Sequence, residues 1–284
     1  MTAGNAEEVR WWIEEREKIR KLNEAGAPRP WTTDPILDRY RFCNVRREDD
    51  RVTRWLKKHW RDPYHDHPNL TVAMLLARML NWPPTLEWLG FPEEWNPDLI
   101  LKRLRTMPPT GKTWGSAYVI TTCGRPMDKA LYVVQSVCNA AKLRGMQPIP
   151  GDTLESFWNR LRGIPGLGAG FIAAQVVADL KNTRGNPLYE ADDWETWAVQ
   201  GPGSARGLNR YFNQPVEQRW RDADWKAGLD VMIMEVQPLV KKTVGNIHAQ
   251  DWQNVMCEYD KWKRAKDGTG KPKRTYSPEV AFQI

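Results

Sequence analysis

The sequence predicts an all-α protein, and three observations lead there. Apolar residues recur at helical spacing over most of the chain, prolines and glycines fall between those runs, and alternating strand patterns are nearly absent. The spacing places Val9, Ile13 and Leu22 on a charged helix over residues 7–25, closed by Gly26 and Pro28. Residues 49–60 carry Val52, Trp55 and Leu56 among basic residues until Pro63 stops them. Residues 71–80 are almost wholly apolar, which predicts a buried helix. A helix over 97–107 starts after Asn96, a good N-cap, and ends before Pro108 and Pro109. Another buried helix is expected over 127–143, and helices over 152–162 and 169–180 flank a Gly-rich turn. The last two run over 224–242, kinked or broken at Pro238, and over 249–263. Residues 117–122 form a short β-branched run, the best strand signal in the chain.

Composition narrows the partner. At 284 residues the chain can bury one large core or two helical lobes, and a formal charge of +7 favours an anionic partner. The 16 tryptophans serve as core packing or as faces on which unpaired bases stack. No apolar stretch approaches the roughly 20 residues of a membrane span, and no secretory leader is visible. Cys43, Cys123, Cys138 and Cys257 are scattered without a CxxC pair. They read as reduced thiols of a cytoplasmic protein. Residues 264–284 form a basic tail, in which Lys273 and Arg274 are candidates for phosphate contact.

The most informative stretch is RGIPGLGAGFIAA at 162–174, set between an amphipathic helix and a small-residue helix. Such a turn lets a phosphate approach Gly166, Leu167, Gly168, Ala169 and Gly170, whose backbone N–H groups can point at it. The alternative is an αα-hairpin with no ligand. The stretch, within 152–181, resembles the helix-hairpin-helix of DNA glycosylases. That resemblance implies a glycosylase-like fold of two helical lobes with a cleft between them. It also implies a catalytic carboxylate some two dozen residues beyond the turn, where Asp192 and Asp193 stand. The glycosylase Val-Asp-Thr-His context and the usual second-helix lysine are missing; Gln175 and Val176 occupy that place.

A wider resemblance rests on FCNVRREDDRVTRW at 42–55, GPGSARGLN at 201–209, NVMCEYDKW at 254–262 and KPKRTY at 271–276. Together these look like the phage alpha-glutamyl/putrescinyl-thymine pyrophosphorylase family. The resemblance implies one helical DNA-modifying domain over residues 1–284, encoded by a phage and acting on a modified thymine in double-stranded DNA. The implied reaction replaces the pyrophosphate of a 5-(pyrophosphooxymethyl)uracil with an amino acid, glycine above all, or a polyamine. The family's helical domain also occurs fused to a P-loop kinase. Here Gly111-Lys112-Thr113 ends such a motif, but Thr106 replaces its first glycine and no strand precedes it, which argues against nucleotide kinase activity.

That chemistry sets the candidate residues. A target base must leave the stack, and Trp114, Tyr118, Trp194 and Trp197 could face it, or lie in the core. A departing pyrophosphate needs cations, supplied by Arg46, Arg47 or Arg51, or by Lys112 and Arg206 in Gly-rich loops suited to phosphates, with Asn209 beside them. Several of the block's arginines could instead pair with Glu48, Asp49 and Asp50. An attacking amine needs a base, first Asp192 or Asp193 and then Glu258, and an arginine clamp for a carboxylate, Arg206 or Arg47. Addition of a Cys43 or Cys257 thiolate to the ring is a covalent variant. His59, His65 and His67 read as a surface loop, no residue spacing demands a metal, and Mg²⁺ bridging the pyrophosphate is chemically reasonable. Glycosylase or lyase action and non-catalytic DNA binding stand as alternatives.

Overall fold

A computed structural model of the chain describes residues 4–106, 111–118, 120–142, 146–167 and 170–276. Among the described residues there are twelve α-helices, and the only strand-like pairing is a single antiparallel bridge between Tyr40 and Thr275. The chain folds into two compact units, Met1–Asp50 with Glu195–Ile284, and Arg51–Trp194.

The first unit opens with α1 (Ala6–Glu24) and α2 (Pro35–Arg39). The second holds α3 (Arg51–Leu56), α4 (Leu70–Leu80), α5 (Pro83–Leu89), α6 (Pro97–Arg105), α7 (Lys129–Lys142), α8 (Leu154–Arg162) and α9 (Phe171–Lys181). The chain then completes the first unit with α10 (Pro202–Tyr211), α11 (Asp222–Val244) and α12 (Ala249–Lys266). Side-chain caps fix several starts. Asp34 accepts from the N–H groups of Ile36 and Leu37, Asn96 from Leu99, and Thr153 from Ser156. Each satisfies donors that a helix start leaves without intrahelical partners.

In the first unit, α1 packs on α11 and α10 packs on α12. Trp12, Trp225, Trp252 and Trp262 are sealed in their shared core with Leu208, Met232 and Tyr259. Four of the tryptophans therefore do the packing work that this residue's large apolar surface suits. Two glycines bring α10 against α12: a Cβ on Gly207 would lie 2.1 Å from the Met256 carbonyl oxygen, and one on Gly203 2.4 Å from Cys257 Sγ.

In the second unit every residue of α4 is buried, the expected fate of a helix apolar on all sides. It ends where Asn81 takes the left-handed conformation at φ 48°, and Pro83 and Pro84 then start α5. Arg78 of α4 is enclosed with Asp179 of α9, donating from Nε at 2.6 Å and also from its terminal nitrogen, and it reaches Thr53 at 3.0 Å. Arg61 donates to Thr183 at 3.1 Å and to the Asn182 carbonyl at 2.6 Å, which ties the turn before α4 to the end of α9.

Several expectations are corrected. Residues 117 and 118 form a bend and residues 120–122 have no regular structure, so the described part of this run is not a strand; Val119 lies outside the described residues. Pro238 sits inside α11 without breaking it. The helix expected over 49–60 is a 3-10 turn (Arg47–Asp49), then α3, then a π-helical turn (Lys57–Arg61). Residues 201–209, read as a Gly-rich loop, are α10, started by Pro202 and by Ser204, whose hydroxyl accepts from the Gly201 N–H at 3.0 Å. The basic tail begins later than expected, because α12 continues to Lys266. Among the described residues, no helix is long and apolar enough to cross a membrane.

Candidate functional site

The sequence blocks at 42–50, 201–209 and 254–262 converge in the first unit, with α12 as their common support. The loop at 42–50 is laid along α12 by three hydrogen bonds: Cys43 N–H to Glu258 at 2.8 Å, Arg47 N–H to Asp251 at 3.0 Å, and Asn254 to the Asn44 carbonyl at 3.3 Å. Lys261, one turn along, donates to Glu258 at 2.5 Å and lies 4.7 Å from the centre of the Phe42 ring. Burial opposes charge on Lys261, but Glu258 beside it more than offsets that and raises its pKa. Glu258 therefore holds the 42–50 loop and the half-buried Lys261 ammonium.

The same surroundings bear on the covalent variant. Burial first, then the negative charges of Glu258 and Asp50, pushes the Cys43 thiol well above its ordinary range. Cys257 is pushed up to about 12, again chiefly by burial and then by Glu258. Both thiols stay protonated at neutral pH, so neither is a ready nucleophile.

The cations of these three blocks are half-buried or buried, and several are committed to structure. Arg206 donates to Asp260 at 3.0 Å, Arg210 to its other oxygen at 3.0 Å, and Arg264 at 3.1 Å. Asp260 is fully buried, so one carboxylate ties three guanidiniums of α10 and α12 together. The sequence named Arg206 as a phosphate ligand and overlooked Asp260 as its partner. Asn209 is consumed by structure as well: its amide donates to the Val216 and Gln218 carbonyls, and its oxygen accepts from Trp220. Arg46 donates to the Asn246 carbonyl at 2.9 Å, Arg47 is buried, and Arg51 is half-buried at the start of α3.

In the second unit the turn between α8 and α9 is built on α7. Tyr132 donates to the Gly166 carbonyl at 2.9 Å, and Asn139 to the Pro165 carbonyl at 3.0 Å. Trp158 of α8 donates to the Gly170 carbonyl at 3.0 Å. Gly166 and Gly170 have φ of 103° and 86°, and a Cβ on either would collide, with Ser136 and with the Trp158 ring. Leu167 is buried, while Gly168 and Ala169 lie outside the described residues. Carbonyls are thus drawn inward. Phe171, the first residue of α9, is 52% exposed and stands edge-on to Tyr118 at 4.9 Å. Tyr118 also donates to Gln175 at 2.8 Å. An exposed phenylalanine next to such a turn is a signal that the sequence contained and that helical periodicity alone did not single out.

Asp192 and Asp193 do not open a helix; residues 192–195 are turns. Asp193 caps α8, accepting from Leu154 N–H at 2.7 Å and Glu155 N–H at 3.0 Å. Asp192 is exposed and lines a cavity of about 340 Å³ with Tyr189, Glu190, Asp152 and Asn186. Trp194 is half-buried, locked by reciprocal bonds with Lys181 at 2.8 and 2.7 Å, and Trp197 is fully buried, so it presents no face to a base. Trp114 is half-buried with Lys129 at 4.3 Å from its ring centre, and exposed Lys112 lies 3.9 Å from that of Trp82. Among the described residues no cluster of His, Cys, Asp or Glu could hold a metal. His59 stacks on Trp55 at 4.8 Å, and His65 is exposed.

Residues 5–271 match the model of the family described as 5-hmdU DNA kinase, helical domain. The chain belongs to that family. A 5-hmdU DNA kinase of Bacillus phage SP10 is 25% identical over 209 aligned positions, a match that covers 66% of this chain and 33% of that relative. The chain therefore spans about a third of that relative's length. No solved structure matches. The expected amino acid transferase is overturned by this family, which is named for a kinase rather than for an enzyme that attaches an amine. The family's name, that of a DNA kinase's helical domain, also stands against the rejection of kinase activity drawn from the sequence. The resemblance holds at the coarser level of phage enzymes of thymine hypermodification.

Proposed function

We propose that this chain serves the phosphorylation of 5-hydroxymethyl-deoxyuridine in DNA, as the helical module that grips the duplex and presents the modified base. The family match over residues 5–271 carries this reading. In the reaction the hydroxymethyl oxygen attacks the terminal phosphorus of a nucleoside triphosphate, its proton passes to a base, and the diphosphate leaves. The hydroxymethyl group lies inside the stacked duplex, so the nucleotide has to be turned out first. The α8–turn–α9 element resembles a helix-hairpin-helix, and its left-handed Gly166 and Gly170 support a close approach of the phosphate backbone to the turn. Exposed Phe171, held edge-on by Tyr118, supplies a face for the unstacked neighbourhood. Asp192, exposed in its cavity, is the carboxylate we assign to the hydroxyl proton. The sequence has no P-loop, so we assign the triphosphate to a nucleotide-binding domain or partner that works with this module.

The test is binding and transfer on matched duplexes carrying either 5-hydroxymethyluracil or thymine. The chain should bind the modified duplex more tightly. With a P-loop kinase partner and γ-labelled triphosphate, label should appear on the modified nucleoside. Phe171→Ala should weaken binding on the order of tenfold, the worth of one stacked base. Equal affinity for both duplexes, together with no labelled nucleoside, would defeat the reading.

A further inference from the structure

The first unit carries a group of cations that the hairpin does not use. Tyr40 pairs with Thr275, the Arg41 N–H donates to the Arg274 carbonyl at 2.9 Å, and the Tyr276 N–H donates to the Arg39 carbonyl at 3.1 Å. In an antiparallel pairing of this register, positions 39, 41, 274 and 276 fall on one face. The pairing collects arginines against two aromatic rings, Tyr276 and Tyr40. The Arg29 guanidinium lies 5.3 Å from the centre of the Tyr276 ring and that of Arg41 5.9 Å, and Arg39 lies 5.3 Å from the Tyr40 ring. From the interior, buried Arg16 donates to the Tyr276 hydroxyl at 3.2 Å, and Trp31 stands edge-on to the ring at 5.2 Å.

Arg29, Arg39, Arg41, Lys271 and Lys273 are all exposed. Asp38, paired with Arg29 at 2.9 Å, is the carboxylate on this face; among the described residues Arg39, Arg41, Lys271 and Lys273 form no ion pair. Holding like charges together on a short, well-anchored pairing is unfavourable unless an anion joins them. Guanidiniums set against aromatic rings keep their forked donors directed outward, a geometry that suits phosphate oxygens.

We propose that this arginine face is a second DNA contact, one that grips the phosphate backbone independently of the α8–turn–α9 hairpin. The proposal rests on the reading that the chain works on DNA. The ligand is the polyanionic backbone itself, so the contact is indifferent to base sequence and to base modification.

The experiment measures binding of the full chain to a duplex carrying 5-hydroxymethyluracil and to an unmodified one, across a potassium chloride series. Each lost phosphate contact lowers the slope of log affinity against log salt by about 0.9, so Arg39→Ala with Arg41→Ala should lower it by nearly two units on both duplexes. Affinity near 0.1 M salt should fall by roughly 10- to 100-fold. Arg39→Lys with Arg41→Lys keeps the charge and should keep the slope. Arg221→Ala, which removes an exposed arginine already paired with Asp224 at 2.6 Å, should leave it unchanged. An unaltered slope in the double alanine variant, with the parent chain binding normally, overturns the second contact and leaves the proposed function standing. Failure of the parent chain to bind either duplex overturns both.

Discussion

Asp50 accepts a hydrogen bond from the Asn44 N–H at 3.0 Å, at the end of the loop laid on α12. Burial of its carboxyl raises its pKa from 3.8 to about 6; Arg47 and Arg16 pull the other way, and Glu258 adds to the rise. The folded protein therefore holds the Asp50 proton more tightly than the unfolded chain does. Its contribution to stability is complete below about pH 4 and is lost as the pH rises through about 6. Asp50→Asn keeps an acceptor for Asn44 without the titration. Urea midpoints of the parent should fall relative to the variant between pH 4 and 6, and parallel curves would refute the assignment. Sequence reading found this block as a run of charge and left its pairs open. Spacing along a helix cannot show that Glu258, over 200 positions away, receives the Cys43 N–H, or that Asp260 gathers three arginines. Asp193, expected as a catalytic carboxylate, has the residue type of a helix cap and serves as one. The helix it caps, α8, begins 39 positions earlier in the chain.

At the scale of elements, α10 shows where local rules mislead. Gly201, Gly203 and Gly207 read as a loop because glycine costs about 1 kcal/mol in a helix interior. Here the cost is offset by contact: without side chains at 203 and 207, the α10 backbone touches α12. The four-residue spacing of those glycines, on the same turn pattern as Ser204 and Leu208, was the available signal. Gly207→Ala should destabilise the protein by about 1–3 kcal/mol, as its Cβ meets a backbone oxygen that has nowhere to go. Gly201→Ala, whose nearest neighbour is the Gln253 side chain at 3.4 Å, should cost much less. Equal urea midpoints for the two variants would contradict the close approach of α10. By contrast, α4 was legible outright, because eleven buried residues leave a continuous apolar run with Arg78 as its lone charge. Asn96 and Pro97 likewise marked the start of α6. Pro238 misled in the other direction, since α11 tolerates it between turns held by tertiary packing.

For the molecule as a whole, helix content was readable from periodicity, and the positive charge favoured an anionic partner. The expected amine transfer was overturned by the family's name, which the sequence blocks alone did not distinguish. Exposure adds a further expectation. Residues 111–118 and 120–126 carry no regular secondary structure and expose Lys112 and Arg125, whereas Arg78 and Lys181 are buried in helices. Limited trypsin digestion should cut first at Lys112, since Pro126 protects the bond after Arg125, as mass spectrometry of the early fragments would show, and early cleavage at Arg78 or Lys181 would contradict the fold.

The division of the chain also fixes an order in time. The unit Arg51–Trp194 is continuous, so a ribosome delivers all of it before the last ninety residues exist. The other unit needs both ends of the chain: Arg16 waits for Tyr276, 260 positions later, and α1 waits for α11. During synthesis, Trp12 and its apolar neighbours on α1 stay without their partners until α11 and α12 have been made. Slow-codon stretches or chaperone depletion should therefore harm the split unit first, and a truncated transcript would yield a folded middle with an unprotected beginning.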